Sequence, residues 1–337
     1  MQSQTLQTTS EPQTLHQLLD ANQSLPPEYA DQLTNHLPMA LHALHSLGAT
    51  PERMQEFQGV YCKRFYGMGR TPVADAVADW RPLRAQEGAY PALLATFQAK
   101  LARDGADQVL RDALPDLMPG VAAAAFHALI RTAHAVEAGH HGELASALAY
   151  WAWRWQPIAP PAGVAQMLNF EPWAERLVAG AQAWRTDGPL ISIRMEEATQ
   201  STIYQSLGTG PQFDGDLTAL VARLAQWAAQ RYVATPNFTV LHMMTGLRAL
   251  RTLLPWMGGC QNAWPVLLRA VTTAYLAAKV TPLPSPPSVS ELSWLDVTAK
   301  AIASNDDHVI KLVHACVEEA KAYGEGVYLQ AARLAVR

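Results

Sequence analysis

PPEYADQLTNHLPMALHALHSLG, residues 26–48, places leucines at 33, 37, 41, 44 and 47, and steps of three and four residues lay one apolar stripe along a helix. Pro26-Pro27 opens the segment and Gly48 closes it, so the pattern predicts a helix over 26–47 with a C-terminal glycine cap. Thr50-Pro51-Glu52 restarts a helix at once. A threonine caps, a proline sits in the first turn where no N–H is needed, and an acid faces the positive helix end. This second helix is expected to run to about Tyr66. Working outward, the same periodicity predicts helices near 90–103, 122–138, 141–155, 172–184, 216–231, 238–257, 261–279, 291–303, 306–323 and 327–336. Residues 190–205 are ambiguous. Sustained strand alternation and fixed-period repeats are absent, so the expected fold is all-α, an irregular multi-helix bundle.

The punctuation between helices is proline. QPIAPPAG (156–163) reads as a linker or a long turn, and TPLPSPPS (281–288) as a loop. Residues 1–13 are polar, with neither a basic nor an apolar leader pattern, and are expected to form a disordered tail. Residues 14–337 then form a single domain, with a subdivision near 156–163 as the alternative. The 337 residues are 49% hydrophobic and 16% charged, enough apolar mass for a large core and a poor match to disorder. The formal net charge is -4 and no basic cluster occurs, which argues against a nucleic-acid partner. Cys62, Cys260 and Cys316 are scattered, as expected in a reducing cytoplasm. The longest apolar stretch, 120–130, is too short to span a bilayer, so no membrane association is expected.

Eleven histidines are many for so apolar a chain. Several fall on apolar helix faces, where an unpartnered imidazole costs free energy. His36, His42 and His45 lie in the leucine-rich segment; His127 is followed by Arg131 and His134 on one face; His242 sits in Leu-His-Met-Met. Ser304 to Asp307 reads as a cap with an acidic first turn, and His308, Lys311 and His314 follow in steps of three. The ordinary reading of each histidine is a core imidazole bonded to a backbone carbonyl. His16 reads as surface, and His140-His141, between Gly139 and Gly142, as an exposed turn. Trp151, Trp153 and Trp155 read as core, or as an aromatic wall for a flat substrate. Lys311 stands among Val309, Ile310, Leu312 and Val313. It either reaches solvent or pairs with Asp307, or it is buried with a lowered pKa and open to carboxylation by CO2.

Four stretches together resemble the questin oxidase-like family: NHLPMALHALHSLGA (35–49), FHALIRTAHAVEAG (126–139), LHMMTGLRALRTLLP (241–255) and DDHVIKLVHA (306–315). With the helical text between them they cover the chain from about residue 15 to its end. The resemblance implies an all-α oxygenase whose fungal relatives open rings of anthraquinones and related aromatic ketones by Baeyer–Villiger-type oxygen insertion. It implies a non-haem iron (Fe2+) site held by His36, His127, His242 and His308, with Lys311 as a modified ligand. One histidine from each of four helices is how bundles build metal sites. Arg131 and His134 are expected as catalytic groups that polarise the substrate carbonyl, Asn35 and Asp307 as partners orienting imidazoles, and Trp151 and Trp153 as the substrate pocket. Dioxygen and a small aromatic or polyketide-like molecule are the expected ligands, with NAD(P)H as external reductant. No glycine-rich dinucleotide fingerprint occurs, so FAD is not expected. The chain departs from the fungal pattern at Pro38-Met39-Ala40 and at Arg131, where those sequences tend to carry histidines. The alternative is a metal-free helical small-molecule-binding protein, with each buried histidine bonded to its own backbone partner and Lys311 at the surface. A terpene-cyclase-like reading rests on Asn305-Asp306-Asp307 alone, and a zinc hydrolase would lack its H-E-x-x-H spacing.

Overall fold

In the computed structural model, residues 11–30, 32–163, 167–260, 263–281, 283 and 291–337 are described. They hold fifteen α-helices and one two-stranded sheet. The helices are α1 (Glu11–Asn22), α2 (Leu37–Ser46), α3 (Pro51–Tyr61), α4 (Tyr90–Leu117), α5 (His127–Glu137), α6 (His141–Trp153), α7 (Phe170–Ala183) and α8 (Ile191–Ala198). They continue with α9 (Thr202–Leu207), α10 (Leu217–Ala234), α11 (Phe238–Leu253), α12 (Ala263–Ala277), α13 (Trp294–Ala303), α14 (Asp307–Tyr323) and α15 (Gly326–Ala335). The all-α expectation holds. Of the tail expected over 1–13, residues 1–10 lie outside the described residues, whereas 11–13 already belong to α1. Most of the loop at 281–288 also lies outside them. The unassigned stretch 190–205 forms α8 and α9.

The opening segment differs from its sequence reading. Helix α2 starts at Leu37, not at Pro26, and the preceding residues make an antiparallel pair, β1 (Glu28–Tyr29) with β2 (Leu33–Thr34). Leu37, Leu41 and Leu44 are fully buried, but Leu33 is 44% exposed, so its place in the leucine series is accidental. Tertiary contacts hold the hairpin: Glu28 accepts from Arg154 and from the Tyr150 hydroxyl. Asn35 closes the turn, its amide donating to Asn22 and to the Pro26 carbonyl while its oxygen accepts the Leu37 N–H. Asn35 thus sets where α2 begins and bonds to no imidazole, correcting its expected role.

Helices α2, α5, α11 and α14 pack on one another at the centre, with α2 against α5 and α14, and α11 against α5 and α14. Nearly every residue of α11 is buried, as an interior helix requires. One apolar cluster runs from Met39 to Val336 and takes side chains from both sides of 156–163. Among the described residues, no helix is long and apolar enough to cross a membrane.

Before α5 the chain turns through Ala124, Ala125 and Phe126, all at positive φ (49°, 57° and 68°). Left-handed geometry costs an L-residue of order 1 kcal/mol, so this turn must be held by its surroundings. Part of the holding comes from Gly246 of α11, where a Cβ would lie 3.0 Å from the Phe126 side chain. The expected helix over 122–138 therefore starts five residues late, at His127.

Arg131 ties α5 to α6. It is 2% exposed, and its Nε and Nη2 donate to the two carboxylate oxygens of Glu143 at 2.5 and 3.0 Å. This buried fork matches the guanidinium's charge, so Arg131 joins α5 to α6 where it was expected to polarise a substrate carbonyl. Removing one partner strands a buried charge, so Glu143→Ala should lower stability by about 3–5 kcal/mol in urea unfolding. The double variant Arg131→Met/Glu143→Leu should recover most of that loss. A Glu143→Ala chain as stable as the wild type would show the pair to be dispensable.

Candidate metal centre and substrate pocket

Four imidazoles meet where α2, α5, α11 and α14 begin. His36 is the residue just before α2, His127 the first residue of α5, and His308 the second of α14; His242 lies one turn into α11. The ring centroids of His36 and His127 stack at 4.5 Å, and His308 stands edge-on to His36 at 4.8 Å. His242 meets His127 at 4.7 Å and His308 at 5.4 Å.

Backbone and carboxylate partners settle which ring nitrogen carries the proton. His127 Nδ1 lies 2.5 Å from the Ala124 carbonyl, presented by the left-handed turn, and His242 Nδ1 lies 2.7 Å from the Phe238 carbonyl. A carbonyl only accepts, so both Nδ1 atoms carry hydrogen and both Nε2 atoms are bare. These two Nε2 atoms face each other at 3.1 Å. His36 gives its Nδ1–H to the Asp307 carboxylate, and its Nε2 is buried with no partner. His308 Nδ1 lies 3.4 Å from Asp307 and 3.6 Å from Asp306, and its Nε2 is likewise buried and unpartnered. Burial, then the charge of Lys311, lowers the His36 pKa to about 3. Burial foremost also pushes His127, His242 and His308 down, so all four rings are neutral.

Asp307 organises the charges. Burial alone would raise its carboxyl, but the His36 bond, helped by Lys311 and His308, outweighs this and holds it well below the usual range. Its second oxygen accepts from Arg64, whose guanidinium lies 4.2 Å from the Tyr61 ring centroid, and the Tyr61 hydroxyl accepts the His36 backbone N–H. Lys311 is 3% exposed, its Nζ 3.7 Å from Asp307. Burial pulls its pKa down to about 8, against the pull of Asp307.

A metal fits this donor set. Two bare lone pairs 3.1 Å apart repel unless a cation lies between them, and two further Nε2 atoms are buried without partners. His36, His127 and His308 each place a ligand atom within 4.8 Å of the others, and His242 Nε2 adjoins that of His127.

A cavity of about 610 Å³ opens on this cluster, lined by His36, His127 and His308 together with Tyr29, Trp153, Trp155, Ile191 and Phe238. Arg154 and Arg194 also border it, but Arg154 is paired with Glu28 and Arg194 donates to the Gly188 and Ala277 carbonyls. Trp153 thus lines the pocket. Trp151 does not: it is fully buried and donates to the Gly120 carbonyl, and Trp155 takes the place expected for it.

His134, expected beside the pocket, lies elsewhere. Seven residues carry it roughly 10 Å along α5 from His127, at 1.5 Å per residue. There its Nδ1 is 2.8 Å from Nδ1 of His42, and the His314 ring stands within 5.6 Å of both. His36/His42, His127/His134 and His308/His314 meet at both levels, so α2, α5 and α14 run in the same direction. Helix α11 joins them, with Arg248 of the second level bonded to Glu137 of α5. His140 also departs from its reading as an exposed turn: it is buried, caps α6 by accepting the Glu143 N–H, and bonds to Asp20. His16 is half-buried against the Ala138 carbonyl. Arg64, Tyr61 and Phe238 are not marked by the sequence, while Trp155 is read there only with Trp151 and Trp153 as core or aromatic wall. Arg64 and Asp307 meet only through tertiary folding, whereas Trp155 carried the signal of the same Trp-x-Trp-x-Trp run as Trp153.

A family model described as Questin oxidase-like matches residues 33–216, more than half of the chain, taking in His36, His127 and the Trp153–Trp155 wall. No curated protein matches the chain. The match suggests an oxidoreductase with a small-molecule substrate: the chain belongs to the questin oxidase-like family.

Proposed function

We propose that this protein is a non-haem iron oxygenase that inserts one oxygen atom next to the carbonyl of a planar aromatic or quinone-like ketone. The observation that carries the reading is the pair of bare Nε2 atoms of His127 and His242 facing each other, with His127 itself lining an aromatic-walled cavity. The residues that would hold iron are His36, His127, His242 and His308, with Lys311 as a carbamate formed from CO2. When bound, Fe2+ on nitrogen donors supplies redox access to dioxygen. Overall, ketone, dioxygen and NAD(P)H with one proton give an ester or lactone, NAD(P)+ and water. One C–C bond beside the carbonyl is replaced by C–O–C.

The chain's own residues have separate tasks. Asp307 fixes the His36 ring through its Nδ1–H and is itself held by Arg64. Trp153, Trp155 and Phe238 offer flat apolar faces to a ring system. Lys311 lies beside Asp307 in an apolar helix, and its lowered pKa makes the neutral amine that attacks CO2 accessible. All four helices present their positive ends here, which disfavours a bare cation. A carboxylate and a carbamate offset that field. A metal-free binding protein would leave Lys311 at the surface and every buried imidazole with a partner; Lys311 is buried, and two Nε2 atoms have none.

Three outcomes are expected. Protein made without a histidine tag and loaded anaerobically with iron should lose about one iron per chain in His308→Ala and in Lys311→Ala, with dioxygen uptake lost in both. Iron content unchanged in both variants would reject the reading. Asp307→Asn should weaken iron binding roughly ten- to a hundredfold by chelator competition, while circular dichroism stays helical. Carbon-13 CO2 should give the wild type a carbamate resonance that Lys311→Arg lacks, and the same spectrum from both would remove the carbamate from the scheme.

A further inference from the structure

The second histidine level has no part in the site above, yet it has features of a ligand set. His42, His134 and His314 are 5%, 4% and 2% exposed and come from three different helices. A donor atom from each of His42, His134 and Glu137 lies within 4.8 Å of the others, Glu137 standing one turn beyond His134 on α5. The 2.8 Å approach of the His42 and His134 Nδ1 atoms taken alone is an ordinary N–H···N bond. His314 breaks that account: its ring packs against both others, but its Nδ1 is buried with no partner. His42 Nε2 lies 3.4 Å from Ser46 Oγ, a hydroxyl that can give or take that bond, so His42 is free to adopt either tautomer toward an ion.

The geometry points to a second metal site, built by His42, His134 and His314 and completed by the Glu137 carboxylate. The ligand class is a borderline divalent ion, Zn2+ above all, which takes imidazole nitrogen and carboxylate oxygen in tetrahedral sites. Arg248 does not forbid it. Its charge is already matched by Glu137, to which Nη2 donates at 2.5 and 2.6 Å, and a carboxylate has lone pairs for both a guanidinium and a metal. His134 lies roughly 10 Å along α5 from His127, too far for the two levels to share one ion. The site is therefore independent of the iron reading.

The test is a Co2+ titration of the full chain, made without a tag and stripped with chelator, followed by d–d absorption and by metal analysis after Zn2+ loading. The variants are His314→Asn for this level and His127→Ala/His308→Ala for the other. The wild type should take up about two ions per chain, and each variant about one, with different cobalt spectra. A helical His314→Asn chain that still binds as many ions as the wild type overturns the proposal. Should His314→Asn not fold, the other variant decides: about one ion left supports the site, and none left overturns it. A wild type with about one ion, kept in His127→Ala/His308→Ala and lost in His314→Asn, upholds this site and rejects the iron site alone.

Discussion

Two imidazoles that have each given their ring proton to a backbone carbonyl cannot hydrogen-bond to one another. His127 and His242 stand in that condition, and the surrounding structure depends on holding them there. The carbonyl that claims the His127 proton belongs to Ala124, the first of three residues in left-handed geometry. A right-handed helix through this stretch would turn that oxygen away along the helix axis. The strained turn therefore selects the tautomer, and the selected tautomer makes the ring a donor toward the cavity. Gly246 and Phe126 show where the surroundings make room for the strain, because any side chain at 246 would press on the turn.

The second constraint is orientation. Four helices that begin at one place must run side by side in one direction, and consecutive helices joined by short loops run opposite ways. The chain meets this by never placing two of the four next to each other in sequence. Helices α3 and α4 separate α2 from α5, α6 to α10 separate α5 from α11, and α12 and α13 separate α11 from α14. The irregular architecture follows from that requirement. Asp307 answers its electrostatic consequence, placing a carboxylate where four positive helix ends converge.

Periodicity made most of the helices legible, because their apolar stripes face one core. It misplaced the start of α2 because Leu33 fits the spacing but is set by a hairpin held through Glu28, Tyr150 and Arg154. The motif resemblance, more than the helix pattern, drew His36, His127, His242, His308 and Lys311 out of the sequence, and the fold brings them to one place. Arg131 and His134 were read with His127 because they share its face, but a face runs the length of a helix and rise separates its occupants. Arg131 is claimed by Glu143 of the next helix, and His134 by the histidines of a deeper level. Trp151 and Trp153 look alike in sequence, and only the side facing the cavity tells them apart. Arg64 had no signal at all, since its partner Asp307 lies at the other end of the chain.

That distance has a bearing on how the molecule is assembled. The donors at the first level are residues 36, 127, 242 and 308, so no local piece of chain contains the site. Contacts of such long range form late and slow folding, because loop closure precedes any gain from them. An ion that recognises only the finished arrangement adds its whole binding free energy to the native state and none to the unfolded chain. On the proposed iron reading, occupancy would bear on the protein's lifetime as well as its chemistry, and scarcity of the ion would be felt as unfolding and turnover.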